Sequence, residues 1–478
     1  MDALCIVQDD ESDWKEEAPK MGSIYENAYL TLAASAAKST EQGLFAPLQH
    51  DKIVELPCNP HDPSEGSMYF APEYIPFEEV ANGSLNKRAW VLQERLLSRR
   101  IIHIAATRTY WECRQIYESE DRYPRNYVQD ASDRGKRLAS AVEKFVQQLR
   151  VGANAPVPAV EEYIDRSYEV SYELHEVWRD IVCQYSQCGL TFHTDKLPAI
   201  LGIATRIHEV TKITYSAGHW FDGTIDAAAL LLWCPAGKQM TRPEAKRAPS
   251  WSWAALDGAV HFLPSDLDIS RLQEHDNDLK VLPFSSDERM VEGLPIQVLG
   301  SIKSVNRCGT AHQVVSGKLD HGPGPHAKFY HLGDTCYPDP DWHSLADNAT
   351  DTDPFYSFQF VAEMHAQLYP NAEPLQYPSG VDYTYPTEEM HQPLPIPPGI
   401  GWVTFDCEDE EPEEFDLLYV CTRAFRGTRK RTASQYLALA IVSTNELADG
   451  PAYKRVGVAQ VHEIDWFLDA EEQVLTLV

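Results

Sequence analysis

The sequence has no long apolar run. No segment approaches the 18 or so apolar residues of a membrane-spanning helix. The longest, Ala227–Cys234, suits a core segment. The N-terminus lacks a basic stretch followed by an apolar one, so no signal peptide is expected. Basic charge is scarce: 41 Lys and Arg face 72 Asp and Glu, a net charge of −31. Such a field repels phosphate backbones and anionic lipid heads, which argues against nucleic acid and membrane surfaces as partners. Part of the excess is local, in the run Asp406–Asp416 (DCEDEEPEEFD), expected as a solvated loop. Paired cysteine spacing is missing too. Ten cysteines are scattered, with Cys5, Cys183, Cys234 and Cys421 in apolar contexts. They read as reduced, buried thiols of a cytoplasmic protein rather than a disulfide framework. There is no G-x-S-x-G elbow, no phosphate-binding P-loop, no H-E-x-x-H and no internal repeat. Cys183, Cys188 and His193 fit no zinc spacing, so no metal is expected.

What is present divides the 478 residues into three parts. Residues 1–120 alternate short apolar runs with helical patterns. Ala3–Val7 reads as a strand. Asp13 and Glu16 have the spacing of a capping box, and Trp14, Met21, Tyr25 and Ala28 then recur at near-helical spacing. Pro19 lies inside that helix and should kink it. Tyr29–Ala34 reads as a buried strand, Arg88–Leu97 as a helix, and Ile101–Ile104 with Thr109–Cys113 as a hairpin. Residues 121–249 form a variable connector, helical near Arg137–Leu149, and then a helical segment. In that segment Val177, Trp178, Ile181, Val182 and Tyr185 share a face, and Thr194 or Asp195 caps the next helix with Pro198 in its first turn. Trp220 and Ile225–Trp233 read as one more helix. From residue 250 to 478 the pattern turns to β: Pro295–Val305, Gly401–Phe405, Phe415–Arg423, Tyr436–Ser443 and Lys454–Val461 are β-favouring runs. Pro-rich and acidic loops separate them, the longest over residues 338–400. Trp251 and Trp253 flank Ser252 on a predicted strand and read as core. His321, His326 and His331 fall in a Gly/Pro loop.

Three blocks carry a family resemblance: MDALCIVQDD at Met1–Asp10, MGSIYENAYLTLAA at Met21–Ala34 and RAWVLQER at Arg88–Arg95. Together they resemble the fungal heterokaryon-incompatibility (HET) domain. Later segments are similar to those found after HET domains in many fungal proteins. These are Trp178-Arg-Asp-Ile, Asp195-Lys-Leu-Pro-Ala-Ile, Pro249-Ser-Trp-Ser-Trp-Ala and Tyr453-Lys-Arg-Val-Gly-Val. An earlier family block ending in Leu-Ser-Tyr-x-Trp-Gly has no counterpart, so an N-terminally truncated HET domain is expected. The resemblance implies an incomplete α/β unit of Toll/interleukin-receptor-like type, then a helical segment and a mostly β C-terminal domain. It further implies a role in self/non-self recognition and programmed cell death, and two molecular activities stay open. One is an adaptor or signalling module working through protein partners, without a cofactor. The other is a hydrolase that cleaves NAD as its substrate. An inactive remnant or a truncated gene model is a third reading.

The candidate residues lie in the first and third blocks. Gln8, Asp9 and Asp10 come after the predicted strand, where open α/β sheets bind ligands. Asp9 and Asp10 suit a ribose hydroxyl, a cation or a catalytic water; they equally suit a helix N-terminus, whose dipole favours acids. Cys5 reads as a buried thiol rather than a nucleophile. In the third block the resemblance singles out Gln93 and Glu94, beside Arg88, Trp90 and Arg95. Glu94 is the catalytic candidate, as a general base or a binder of sugar hydroxyls. Trp90 is most simply core. Glu112 is a second carboxylate, for which a structural role is favoured. Gln8, Asp9, Gln93 and Glu94 are expected to approach one another, with Arg88 or Arg95 offsetting the acids.

Overall fold

The computed structural model describes residues 6–7, 10–45, 54–58, 66–70, 78–113, 116–120, 160–236, 240–263, 272–273, 278–284, 293–305, 312–313, 328–331, 400–407, 412, 414–426, 432–444, 451–461, 467 and 469–478. Residues 160–172 and several strand ends are described by backbone alone. The expected strand Ala3–Val7, the helix near Arg137–Leu149, the loop over 338–400, and Gln8 and Asp9 thus lie wholly or mostly outside the described residues. The chain divides into two compact units, Met1–Lys212 and Ile213–Val478.

In the first unit Asp10 caps the Glu11–Glu17 helix, its side chain accepting from the backbone N–H of Ser12 and Asp13. The cap is therefore Asp10, not Asp13; Asp13 instead accepts from the Val7 N–H at 2.8 Å. A 3-10 turn over Ala18–Lys20 carries Pro19 and separates this helix from the next, Met21–Asn27. Proline lacks the N–H that a continuous helix needs, so the predicted kink is a break. Strand β1 is Thr31–Ala33. It is not buried throughout as expected: Tyr29 and Leu32 are exposed, and among the described residues its ladder runs parallel to β4. Strands β2 (Val54–Pro57) and β3 (Ser67–Phe70) form a separate hairpin. The Ala89–Leu97 helix then leads into β4 (Arg100–Ile104), β5 (Thr109–Cys113) and β6 (Tyr117–Ser119). The order β1-β4-β5-β6 makes a four-stranded sheet, and the predicted hairpin is its antiparallel β4–β5 pair.

Two longer helices complete the unit, Val160–Ser186 and Pro198–Thr211. Val177, Trp178, Ile181, Val182 and Tyr185 are all buried, as their shared face predicts. Pro198 sits in the first turn, where its missing N–H is harmless. Neither Thr194 nor Asp195 caps that helix; Leu197 occupies the cap without a side-chain bond.

The second unit is rich in sheet. Strands β7 (Thr214–Ser216) and β8 (His219–Phe221) form a hairpin. A short helix, Ile225–Ala229, leads to β9 (Trp233–Pro235), which pairs with β10 (Val260–Phe262). The single helix expected over Trp220–Trp233 is thus one turn between strands. Trp251 and Trp253 are fully buried, but in a turn and a 3-10 segment rather than a strand. Backbone carbonyls accept their neighbours' donors: the Ser252 hydroxyl bonds Ala217 O at 2.6 Å and Trp253 Nε1–H bonds Gly218 O at 3.1 Å.

The large sheet comprises β11 (Leu272–Gln273), β12 (Lys280–Val281), β13 (Ile296–Ser304), β14 (His312–Gln313), β15 (Lys328–His331), β16 (Ile400–Phe405), β17 (Asp416–Arg426), β18 (Thr432–Thr444), β19 (Ala452–Val461) and β20 (Glu472–Leu477). His331, expected in a loop, ends β15. All five β-favouring runs are strands. Five of the strands close a ring: β17 pairs β13 and β18, β18 pairs β19, β19 pairs β20, and β20 pairs β13. Closure removes edges that would otherwise recruit other chains. Bulges at Tyr419/Cys421 and Ala440/Ile441 supply the bend. Phe405, Phe415, Leu417, Tyr419, Ala438, Ala459 and Val461 fill one core. The acidic run Asp406–Asp416 is therefore not solvated throughout, because Asp406 and Phe415 are buried at its ends. No helix among the described residues is long and apolar enough to cross a membrane.

Candidate functional site

The Ala89–Leu97 helix is the organising element of the first unit, and it turns most of its polar residues inward. Arg88 precedes it, exposed, and bridges by backbone to Gly189. Trp90 is half-buried and donates its indole N–H to Asp195 at 3.1 Å. Burial raises the pKa of the Asp195 carboxyl, against the lowering effect of that bond. Gln93 is buried and accepts from the Gly202 N–H at 2.6 Å. This bond lies where two helices nearly touch: a Cβ on Gly202 would stand 3.1 Å from the Gly22 Cα and 2.5 Å from Gln93 Oε1. Glycine is required there because the backbones approach so closely. Glu94 is half-buried, and its carbonyl accepts from the Ser98 hydroxyl at 2.7 Å. Of the expected cluster, Gln93 and Glu94 are consecutive residues of this helix, and Gln8 and Asp9 lie outside the described residues; Asp10, next to them in sequence, caps the start of another helix.

A buried polar arrangement begins one residue further, at Arg95. Its Nε donates to Glu112 Oε2 at 2.8 Å, and its Nη2 donates to the Tyr117 hydroxyl at 3.4 Å. The same Glu112 oxygen stands 2.7 Å from His103 Nε2, and His103 Nδ1 stands 3.1 Å from the Ser35 hydroxyl. The sheet register explains the assembly. Glu112 is the cross-strand partner of Ile101 and Tyr117, so His103, two residues beyond Ile101, is its diagonal neighbour on the same face. Ser35 lies just beyond β1, whose Ala33 pairs with His103. Ser35, His103, Arg95 and Tyr117 are all buried.

Electrostatics fixes the protons. Burial alone would raise the pKa of the Glu112 carboxyl. The Arg95 charge and the bonds from His103 and Arg95 outweigh it and leave that pKa below the ordinary value. Burial, with Arg95 nearby, lowers the pKa of His103 despite its bond to Glu112. Burial opposes the charge on Arg95, but Glu112 and Tyr117 more than offset this and its pKa is raised. A neutral imidazole facing an ionised carboxylate carries its proton on Nε2. Nδ1 then accepts from the Ser35 hydroxyl. The row is a Ser–His–Glu series with an arginine sharing the carboxylate, buried except for part of Glu112. It joins β1, β4, β5, β6 and the Ala89–Leu97 helix through five side chains.

Of these residues the sequence pointed to Glu112 and Arg95, but not to Ser35 or His103. A signal for His103 was present. It is the polar member of the run Ile101-Ile102-His103-Ile104, and it falls on the Ile101 face that the alternation assigns to the core. Among the described residues no group of three or more His, Cys, Asp or Glu is placed to hold a metal.

The fold and site define a mixed α/β unit with a buried polar row, accompanied by a sheet-rich unit. Residues 1–94 match the family model described as Heterokaryon incompatibility protein (HET), so that span is similar to HET domains. No curated protein and no solved structure matches the chain.

Proposed function

We propose that this chain acts in fungal heterokaryon incompatibility, in self/non-self recognition leading to programmed cell death. In this reading it is a cytoplasmic adaptor or signalling module that works through protein partners, and its first unit is a Toll/interleukin-receptor-like α/β module. The HET match over residues 1–94 carries the proposal. The adaptor form is supported by the use the third block makes of its polar side chains: Trp90, Gln93 and Arg95 spend their hydrogen bonds inside the unit. The net charge of −31 favours protein partners over nucleic acid. Induced expression of the full chain in a filamentous fungus should arrest growth, and its absence would remove the recognition role. Purified protein incubated with NAD should release no nicotinamide. Release that Glu94→Gln abolishes would replace the adaptor with the NAD-cleaving enzyme.

A further inference from the structure

Cys234 on β9 and His261 on β10 are direct cross-strand partners. Cys234 Sγ lies 3.0 Å from His261 Nε2 and 3.7 Å from Nδ1. The thiol is buried, whereas the imidazole keeps part of its surface in water. A buried cation stands beside them. The Arg455 guanidinium lies over the Trp233 ring at 3.3 Å and donates to the Trp233 carbonyl, the peptide oxygen immediately before Cys234. Its Nη1 donates to Asp406 at 2.7 Å, while its buried Nε has no hydrogen-bond partner among the described residues. Burial lowers the pKa of Arg455 and outweighs the attractions of Asp406 and the Cys234 sulfur, which raise it.

Structural cysteines in apolar surroundings are inert, because burial disfavours the thiolate. Cys234 differs in having both a base within reach and a positive charge nearby. From this arrangement we propose that Cys234 is an oxidisable thiol, with His261 as its general base and hydrogen peroxide as its oxidant. The Cys234 S–H proton passes to His261 Nε2. The sulfur attacks one peroxide oxygen; an S–O bond forms and the O–O bond breaks. The departing oxygen takes the proton from His261 and leaves as water. Sulfur is oxidised by two electrons to the sulfenic acid, and the peroxide is reduced.

The test uses the full reduced chain, dilute hydrogen peroxide, and a dimedone trap read by peptide mass spectrometry. Cys421 is the internal control, buried to a similar degree on β17. Cys234 should be trapped about a hundredfold faster than Cys421, the lower end of what a positioned base contributes. The variant His261→Gln, checked for native circular dichroism, should remove that advantage. Trapping of Cys234 no faster than Cys421 overturns the proposal, even if the variant fails to fold. So does an unchanged Cys234 rate in folded His261→Gln.

Discussion

Replacing Glu112 with Gln tests the buried row at its centre. The substitution keeps the shape and leaves a carbonyl able to accept from His103 Nε2–H, but it removes the charge that balances Arg95. Arg95 is 8% exposed and has Glu112 as its ion-pair partner at 2.8 Å. Breaking a buried pair from one side costs about 3–5 kcal/mol, because the remaining charge stays desolvated. At about 1.4 kcal/mol per factor of ten, that is a hundredfold or greater loss of local stability. Hydrogen exchange of the β4 and β5 amides, residues 100–113, reads this unit without assuming that both units unfold together. Those amides should exchange about two orders of magnitude faster in Glu112→Gln. Adding Arg95→Met should recover part of the loss, since no charge is then stranded. An increase of less than about tenfold would mean that Arg95 is solvated or paired elsewhere, and the argument for the row would fail. The same groups set the pH dependence. The carboxyl pKa of Glu112 is lower in the folded chain, so its contribution is present above its unfolded value and is lost as pH falls through the folded one. The pKa of His103 is lowered from 6.5, so the unfolded chain takes up a proton first as pH drops below that value. Between pH 7.5 and 5 the native protein should therefore lose stability through His103 while Glu112 remains ionised. In Glu112→Gln the decline should steepen, because the carboxylate that favours the imidazolium is gone.

Gly202→Ala should destabilise the first unit by about 1–3 kcal/mol, the usual cost of overpacking, since its Cβ meets Gln93 and Gly22; an unchanged melting temperature would contradict the close helix contact. His219 is fully buried, neither ring nitrogen has a hydrogen-bond partner among the described residues, and burial with Arg455 nearby lowers its pKa to about 3. His219→Leu should raise the melting temperature and flatten the acid-side loss between about pH 6.5 and 3, because the unfolded chain no longer gains a proton that the native core refuses; lower stability at pH 5 would show that the imidazole is satisfied. Deleting residues 472–478 removes β20, uncovers β13 and opens the five-strand ring, so light scattering during expression should report aggregation; a soluble deletion with unchanged melting would refute that role.

The periodicity of the sequence determined the elements whose faces are set locally. Apolar residues at helical spacing placed Val177–Tyr185 in the core, and alternation marked β13 and β16–β19 as strands, because each pattern needs only its own neighbours to be read. Family blocks at Met1–Asp10 and Arg88–Arg95 marked the segment that matches the HET family model. Local rules failed where a partner elsewhere in the chain decided the outcome. Asp195 has the chemistry of a cap but is taken up by Trp90, and the Trp251–Trp253 alternation is a turn held by carbonyls of Ala217 and Gly218. The buried row shows the same division. Ser35 and His103 stand 68 residues apart, and His103 meets Glu112 only because β4 and β5 pair in one particular register. A slip of one residue would turn Glu112 to the opposite face. Residue types are written in the sequence, but which charges are buried together depends on strand register and helix approach, and these are fixed only when the whole core packs.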